Sequence, residues 1–262
     1  PVETDNSHSI ITPSVGVAIY PRHSNDLKTL MQYADLAMYE AKSAGKNQFF
    51  VFKQEVRNRF QYMHELTSEL EAAILGNQLV LHYQPRYSTK TNKIIALEAL
   101  VRWNHPKHGL LFPDSFISLS EQAGLINQLG LWVLEEAIRQ IETWKEMQIE
   151  ILMSMNVSIY QLSSSHFIKA LKTFAALNPS LKDFLEIELT ETALIKSDDK
   201  VLRNIEKIRD LGMKISVDDF GIGYSNLARL KKLSPDCIKI DRSLISDLPR
   251  NDRLAKIVVE VC

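Results

Sequence analysis

The chain has 262 residues, of which 45% are hydrophobic and 24% charged, and its formal net charge is −1. This composition is typical of a globular protein and lacks the basic excess of a nucleic-acid-binding surface, so no nucleic acid polymer is expected as a partner. Only two cysteines occur, Cys237 and Cys262, which argues against a disulfide framework and for a reducing compartment.

The first fifty residues alternate between strand and helix patterns. Residues 9–20 are β-branched and apolar, which predicts a buried strand that ends at Pro21. Residues 26–44 predict a helix, because apolar side chains recur there at three- and four-residue spacings before Gly45. Residues 48–52 then predict a short strand.

The sequences SVGVAIYP and ADLAMYEAKSAGKNQ in this segment resemble the C-terminal end of a GGDEF, or diguanylate cyclase, domain. The resemblance covers residues 9–52 and implies that residues 1–53 are the last part of such a domain. The Gly-Gly-(Asp/Glu)-Glu-Phe hairpin, which carries the metal and substrate contacts of that family, is not in this sequence. We therefore expect no cyclase activity from this chain.

A long helix and two strands follow. Residues 55–76 contain few helix breakers and carry an apolar stripe, so residues 54–76 are predicted to form a helix that leads into a second domain, residues 77–262. Residues 79–85 and 94–103 predict two strands joined by a polar turn.

Glu98 and Arg102 are polar members of the second of these strands. A buried carboxylate needs a partner. Glu98 is therefore either a metal ligand or half of a structural ion pair with Arg102, and the strand pattern leaves both alternatives open.

The rest of the chain alternates between helices and strands. Because strands that alternate with helices form parallel sheets, the order predicts an α/β fold, and polar residues at the strand ends indicate a barrel with its active face there. Six strands can be counted from residue 77, whereas a closed barrel of this type has eight, so we expect an incomplete barrel. Helices are predicted over residues 114–123, 131–147, 164–177, 198–212 and 226–233, and strands over residues 150–157, 184–191, 214–219 and 237–241.

The strongest local signal is the pair Asp218-Asp219, where an apolar strand pattern ends and Gly221 and Gly223 follow. Glycines allow the backbone to turn sharply, and paired acids at a strand end favour hard cations such as Mg²⁺ or Mn²⁺. Taken alone, the stretch also fits a structural interpretation in which the acids cap a helix that starts near Ser225.

Several polar residues lie near the C-terminal ends of five different strands. Carboxylates gathered around one mouth repel one another unless cations neutralise them, and two metals that share Asp218 would suit phosphodiester cleavage. The residues are Glu98, Asn156, Glu188, Asp218, Asp219 and Lys239.

The motifs around these residues resemble those of the EAL domain family. They are, in order, YQP, EALVRW with HP, MNVSIYQL, IELTET, VDDFGIGYSNL and IKIDRSL, and the resemblance runs from about residue 66 to residue 262. It implies an EAL-type modified TIM barrel whose first strand runs antiparallel, here incomplete and preceded by the GGDEF piece. It also implies hydrolysis of cyclic di-GMP to linear pGpG, with two Mg²⁺ or Mn²⁺ ions.

The resemblance further implies a role for each matching residue. Metal would be bound by Glu98, Asn156, Glu188 and Asp218, and Asp219 would hold the second ion.

The remaining matches concern the nucleophile and the substrate. Lys239 would contact and help to activate the attacking water, and Glu191 would position the loop after Asp219. Gln84 and Arg102 would contact the substrate, since arginine is suited to bidentate phosphate contact.

Two features depart from the family pattern. Ile222 stands where threonine is usual. The motifs of the last two barrel strands, one of which supplies a further metal-site glutamate, are not in this sequence. We therefore expect the 262-residue chain by itself to be impaired in catalysis and prone to association.

Two alternatives to an enzyme stay open, a receptor that binds cyclic di-GMP without hydrolysis and a pure interaction module. Such receptors usually lose metal ligands, and the ligands that this chain reaches are present, which favours the enzyme.

We also expect a homodimer or larger oligomer and an upstream sensory domain. No apolar run approaches the about 20 residues that cross a bilayer, so a cytoplasmic location is expected, with any membrane anchor in segments not present here.

Overall fold

The structure is a computed structural model in which the chain forms two compact units, Pro1–Glu69 and Leu70–Cys262. Among the residues described, no helix is both long and apolar enough to cross a membrane. The structure describes residues 2–4, 7–9, 12–195, 197–221 and 233–246.

The first unit contains two small β-ladders. Strands β1 (Val2–Thr4) and β2 (Ser7–Ser9) pair antiparallel, and β3 (Val15–Val17) and β4 (Phe49–Val51) pair in parallel. Strand β4 confirms the predicted short strand. The buried strand predicted over residues 9–20 is wrong in extent and burial, because β3 has three residues and none of them is buried.

The reason lies in the alternation of side chains along β3. Gly16 packs directly against the helix that follows, where an added Cβ would collide with the backbone of Ala34. Val15 and Val17 therefore point away from that helix, and Val15 is 45% exposed.

That helix, α1 (Leu27–Ser43), confirms the prediction from the sequence. Asp26 caps its first turn by accepting hydrogen bonds from the backbone N–H and the hydroxyl of Thr29, at 2.8 and 2.7 Å. The ring of Tyr33 stacks on Phe52 with 4.0 Å between centroids. This stacked pair is the centre of the small core of the first unit.

The second unit is built on a mixed sheet of seven strands. Their bounds are β5 (Leu79–Tyr87), β6 (Ile94–His105), β7 (Gly109–Leu111), β8 (Leu152–Asn156), β9 (Leu185–Thr190), β10 (Lys214–Phe220) and β11 (Cys237–Ile240). The spatial order is β11-β10-β9-β8-β6-β5, with the short β7 beside β6. Strands β6, β8, β9, β10 and β11 are parallel and β5 runs antiparallel to β6, as the resemblance implied. Within the described part of the chain the sheet does not close into a barrel.

Two of the predicted helices begin elsewhere than expected. The helix predicted over residues 114–123 is a 3₁₀ turn followed by α3 (Ile117–Gln122). Helix α4 (Ile126–Glu146) begins before Gly130 rather than after it, although glycine usually weakens a helix. The side chain of Gln161 occupies the place where a Cβ of Gly130 would lie, so packing explains why glycine stands inside this helix.

The remaining helices are mostly short. Helices α6 (Ser165–Leu177) and α9 (Asp199–Asp210) confirm predictions from the sequence, and α2 (Gln54–Leu75) confirms the helix predicted over residues 54–76. Three helices and strand β7 have only three to five residues each and were not predicted, whereas the helix at Arg242–Ser246 follows β11, where the alternation predicts a helix. Residues 222–232, which include Ile222, Gly223 and most of the helix predicted over residues 226–233, lie outside the described residues. The helices are α2 (Gln54–Leu75), α5 (Ile159–Ser163), α6 (Ser165–Leu177), α7 (Leu181–Phe184), α8 (Glu191–Ile195), α9 (Asp199–Asp210) and α10 (Arg242–Ser246).

The sheet of the second unit has an apolar face and a polar face. Tyr83 packs against Trp144 of α4 with 5.0 Å between ring centroids, so its side of β5 faces that helix. Cross-strand pairing extends this face through Ala99, Met155 and Ile187, all of which are buried. Because side chains alternate along a strand, the residues one step away lie on the opposite face.

Candidate metal centre

The register of the parallel strands brings the predicted ligands to one end of the polar face. Asn156 on β8 pairs directly with Glu188 on β9, and Glu188 pairs with Ser216 on β10. Asp218 is two residues beyond Ser216 and therefore lies on the same face, nearer the C-terminal end. Glu98 contributes from β6, which is adjacent to β8.

Lys239 lies at the centre of this group. Its Nζ donates hydrogen bonds to Glu98 Oε2 at 2.8 Å, Glu188 Oε2 at 2.8 Å and Asp218 Oδ2 at 3.0 Å. Asn156 Nδ2 donates to Glu98 Oε1 at 2.9 Å. The side chain of Glu188 is fully buried. Three carboxylates thus surround a single ammonium, and the cluster keeps an excess of negative charge when all of them are ionised.

This arrangement fits a divalent cation. Glu98, Glu188 and Asp218 each have an oxygen within 4.8 Å of the other two, which is close enough for all three to contact one ion. Hard cations such as Mg²⁺ and Mn²⁺ prefer carboxylate and amide oxygens, and a carboxylate buried as completely as Glu188 needs positive charge beside it.

Burial and hydrogen bonding shift the ionisation of the central groups. Burial raises the pKa of Glu188, the hydrogen bond from Lys239 opposes this shift, and the charge of Glu98 adds to it. Burial acts to lower the pKa of Lys239, but its hydrogen bonds to Glu188 and Glu98 outweigh that effect and raise the pKa above its ordinary value. In this cluster Lys239 is therefore a cation, and its Nζ is the hydrogen-bond donor to all three carboxylates.

Asp219 lies beside the three-carboxylate cluster, which does not include it. It is exposed, its φ is 55°, and its backbone N–H donates to Asp218 Oδ1 at 2.9 Å. Although Asp219 is exposed, partial desolvation raises its pKa, and the charges of Asp218 and Asp241 add to this shift. Asp241 was not among the predicted site residues, although a carboxylate directly after the apolar strand β11 is the signal that identified the others.

Glu191 is buried, with 5% of its surface exposed, and holds the backbone just after the acidic pair. Its Oε2 accepts a hydrogen bond from the N–H of Gly221 at 2.8 Å. Gly221 has a φ of 102°, a conformation that favours glycine, and an added Cβ would collide with Leu244. Glu191 therefore lies where the predicted role requires it, at the start of the loop after Asp219.

Glu98 and Arg102 do not form the ion pair that the sequence left open. Glu98 contacts Lys239 instead, and the guanidinium of Arg102 lies over the ring of Phe112, 4.9 Å from its centroid. Gln84 pairs with Glu98 across β5 and β6 and so lies on the polar face. Substrate contact by Gln84 and Arg102 stays a prediction.

A cavity of about 440 Å³ shares one residue, Asn156, with the predicted site. Asn156 lines it, together with mainly apolar residues such as Leu100, Pro113 and Ile126. Neither the three carboxylates nor Lys239 lines this cavity, and part of its wall, such as Ala99, belongs to the apolar face.

A family model described as the EAL domain matches residues 67–262. The chain belongs to the EAL domain family. A second model, described as the GGDEF domain of diguanylate cyclases, matches residues 1–48. The predicted order, a GGDEF piece followed by an EAL domain, is therefore confirmed, and EAL phosphodiesterases are metal-dependent.

Curated relatives of this EAL chain match along nearly its whole length. The cyclic di-GMP phosphodiesterase PdeR of Escherichia coli is 38% identical over 253 residues, which cover 95% of this chain and 38% of PdeR. The bifunctional diguanylate cyclase/cyclic di-GMP phosphodiesterase MucR of Pseudomonas aeruginosa is 38% identical over 250 residues, 95% of this chain and 36% of MucR. The chain thus spans little more than a third of the length of these relatives.

Solved structures show the same EAL fold. The PaMucR phosphodiesterase in complex with c-di-GMP is 37% identical with a TM-score of 0.68, covering 74% of this chain and 79% of that chain. An EAL domain protein from Listeria monocytogenes EGD-e is 32% identical with a TM-score of 0.65, covering 74% and 76%. The predicted α/β, TIM-barrel-like fold class is confirmed.

One pair of polar residues within this EAL domain was missed by the sequence analysis. Arg86 Nη2 lies 2.9 Å from Glu186 Oε1, and Arg86 Nη1 lies 3.8 Å from Glu188 Oε1. Arg86 is two residues after Gln84, and Glu186 is two residues before Glu188. The period of two along a strand could therefore have placed both residues on the polar face.

Proposed function

We propose that this chain is the catalytic EAL domain of a phosphodiesterase that hydrolyses cyclic di-GMP to linear pGpG. The observation that carries the proposal is the convergence of Glu98, Glu188 and Asp218 around Lys239 at the C-terminal ends of parallel strands. The names of PdeR and MucR, both cyclic di-GMP phosphodiesterases, support the choice of substrate.

The proposal assigns two Mg²⁺ or Mn²⁺ ions to the site. Ions of this kind, when bound, polarise phosphate oxygens and supply a nucleophilic water at neutral pH. Asp218 would serve both ions, because it belongs to the three-carboxylate cluster and is followed directly by Asp219, the proposed ligand of the second ion. The proposed ligands are Glu98, Asn156, Glu188, Asp218 and Asp219.

Lys239 and Glu191 complete the catalytic assignment. Because pGpG keeps a phosphate at its 5′ end, water attacks phosphorus, the bond from phosphorus to O3′ breaks, and a 3′-hydroxyl leaves. Lys239 has three N–H groups, all of which contact carboxylates here. With one of those oxygens bound to an ion instead, the freed N–H would orient the attacking water and stabilise the negative charge that develops. Glu191 fixes the backbone at Gly221 and thereby the direction of Asp219.

Substrate contacts come from the other residues of the mouth. Arg102 offers a guanidinium to one phosphate of the cyclic dinucleotide, and Gln84 lies on the same face as the cluster.

The same proposal gives the chain its domain limits and partners. Residues 1–53 are the end of a GGDEF domain, residues 54–76 a connecting helix, and residues 77–262 the EAL domain. The protein acts in bacterial second-messenger signalling as a homodimer or larger oligomer, controlled by an upstream sensory domain.

Product analysis tests the proposal. The complete gene product is incubated with cyclic di-GMP and either Mg²⁺ or Mn²⁺, and the nucleotides are separated by chromatography. We expect pGpG as the product and no turnover after chelation of the metal. Binding of cyclic di-GMP without hydrolysis would instead identify a receptor, and a lack of nucleotide binding would identify an interaction module.

A further inference from the structure

A second polar layer lies beneath the carboxylate cluster, on the same face of the sheet. Arg86 pairs with Ala96 across β5 and β6, two residues from the pair of Gln84 with Glu98, so its side chain points to the face that carries Glu98. Glu186 precedes Glu188 by two residues on β9 and therefore lies on that face as well. Neither Arg86 nor Glu186 has a role in the proposed hydrolysis.

Arg86 spans from β5 to two carboxylates on β9. Its Nη2 lies 2.9 Å from Glu186 Oε1 and its Nη1 lies 3.8 Å from Glu188 Oε1. The side chain of Arg86 is 22% exposed, that of Glu186 is 4% exposed and that of Glu188 is fully buried. Carboxylates in such surroundings need a cation nearby, and Arg86 supplies it from below the cluster.

The two oxygens of Glu188 face different partners as a result. Oε2 lies within the carboxylate cluster and accepts a hydrogen bond from Lys239 Nζ at 2.8 Å. Oε1 lies 3.8 Å from Arg86 Nη1, an ion-pair distance that is too long for a hydrogen bond. A guanidinium that attracts one oxygen opposes rotation of the carboxylate, so Glu188 presents a single oxygen to whatever occupies the cluster.

We propose that Arg86 is a positioning residue that restricts Glu188 to one ligand oxygen and thereby favours Mg²⁺ or Mn²⁺ over Ca²⁺ at this site. The inference rests on the proposed function, because it takes the cluster to be the metal centre. Mg²⁺ requires a compact octahedral shell, whereas Ca²⁺ accepts more ligands and often takes both oxygens of one carboxylate. Without Arg86, Glu188 is free to offer both oxygens, which benefits Ca²⁺ alone.

The ratio of two affinities separates this effect from simple charge. Removing the positive charge of Arg86 strengthens attraction for any divalent cation, and Mg²⁺ and Ca²⁺ carry the same charge. That contribution therefore largely cancels in the ratio of their dissociation constants. A change in the ratio reports how the ligands are arranged.

The experiment is calorimetric titration of the full chain with Mg²⁺ and, separately, with Ca²⁺, in the absence of nucleotide. In Arg86→Met, we expect the ratio of dissociation constants to move toward Ca²⁺ by about tenfold, the lower end of what loss of a residue that orients a metal ligand causes. The matched control is Arg139→Met, since Arg139 is 61% exposed on α4 and forms its ion pair with Glu136, away from the cluster. The ratio of dissociation constants should not change in this variant.

A second variant covers the case in which Arg86→Met does not fold because Glu186 is left unpaired. Arg86→Met combined with Glu186→Gln removes both charges of the pair, and the same shift toward Ca²⁺ is expected because Glu188 again loses Arg86. An unchanged ratio in a folded variant that binds both ions would overturn the inference while leaving the metal centre in place. A parent chain that binds neither ion would contradict the metal centre itself, and the inference with it.

Discussion

In the sheet of the second unit, neighbouring residues along each strand point to opposite faces, and one face is apolar whereas the other is polar. On β9, Ile187 and Leu189 belong to the face packed against helices, whereas Glu186 and Glu188 belong to the polar face. All four are buried. Burial of the apolar face stabilises the fold. The polar face instead holds carboxylates close together, an unfavourable arrangement that a bound cation would offset.

The comparison indicates that the apolar face mainly provides stability and that the polar face carries the residues proposed for catalysis. Buried like charges are unfavourable, and the polar face reduces the repulsion with Lys239 inside the cluster and Arg86 beneath it. A substitution on the apolar face should therefore change the free energy of unfolding, and a substitution on the polar face should change activity first. The following predictions test that separation.

The largest expected effect is that of Lys239→Ala on hydrolysis. We expect kcat for cyclic di-GMP to fall by about a thousandfold, the upper end of the range for loss of one preorganised hydrogen-bond donor, because the attacking water loses its donor. The dissociation constant for the nucleotide should stay nearly the same, since Lys239 contacts carboxylates and is not a main substrate anchor. Stopped assays for pGpG and calorimetry measure the two quantities.

Lys214→Ala is the matched control for this prediction. Lys214 begins β10, at the opposite end of the strand from Asp218, and it is exposed. Its removal should leave kcat unchanged. Hydrolysis by Lys239→Ala at a rate close to that of the parent would show that the polar face is not organised around Lys239.

The second effect concerns the apolar face. Ile187 is fully buried, so Ile187→Ala should lower the free energy of unfolding by about 3 kcal/mol through lost burial and the cavity left behind. Ile149→Ala is the control, because Ile149 is 45% exposed and should cost little. Urea denaturation followed by circular dichroism gives both values. Equal losses for the two variants would contradict the assignment of Ile187 to the core face.

The smallest effect is a dependence of stability on pH at Asp219. Burial and the charges of Asp218 and Asp241 raise the pKa of Asp219 in the folded chain, so its ionised form is disfavoured there. The resulting loss of stability is absent below the ordinary aspartate pKa and grows as pH rises through the raised value. Asp219→Asn removes this loss and, because asparagine tolerates a positive φ, should introduce no backbone strain.

Thermal unfolding in the presence of a chelator measures this pH-dependent effect of Asp219 on stability. Because Asp219 is exposed and solvent screens its charge, we expect Asp219→Asn to raise Tm by only about 1 °C at pH 7, and by less at about pH 4, close to the ordinary pKa of aspartate. A larger rise in Tm at about pH 4 than at pH 7 would contradict a raised pKa of Asp219 in the folded chain.

Both the fold and the residues of the candidate metal centre followed largely from local patterns. Glu98, Asn156, Glu188 and Asp218 could be found because each lies in or ends an apolar strand, and parallel strands gather their C-terminal ends at one edge. The strand predicted before Pro21 was too long, because hydrophobicity alone does not show that Gly16 packs on a helix.

Contacts across the polar face could not be predicted in the same way. Arg86 and Glu186 each follow the period of two, but β5 and β9 are not neighbours in the sheet, and the sequence does not show that a side chain from one reaches the other. The start of α4 was missed for a similar reason, since only the packing of Gln161 explains a glycine within that helix.

The most direct test of the metal centre is anomalous scattering from crystals grown with Mn²⁺ and cyclic di-GMP. We expect an anomalous peak within coordination distance of Glu98, Glu188 and Asp218, with a second peak beside Asp218 and Asp219. Crystals with cyclic di-GMP bound and Mn²⁺ available, but with no anomalous peak among these carboxylates, would contradict the claim that the polar face of this sheet is a metal-dependent phosphodiesterase site.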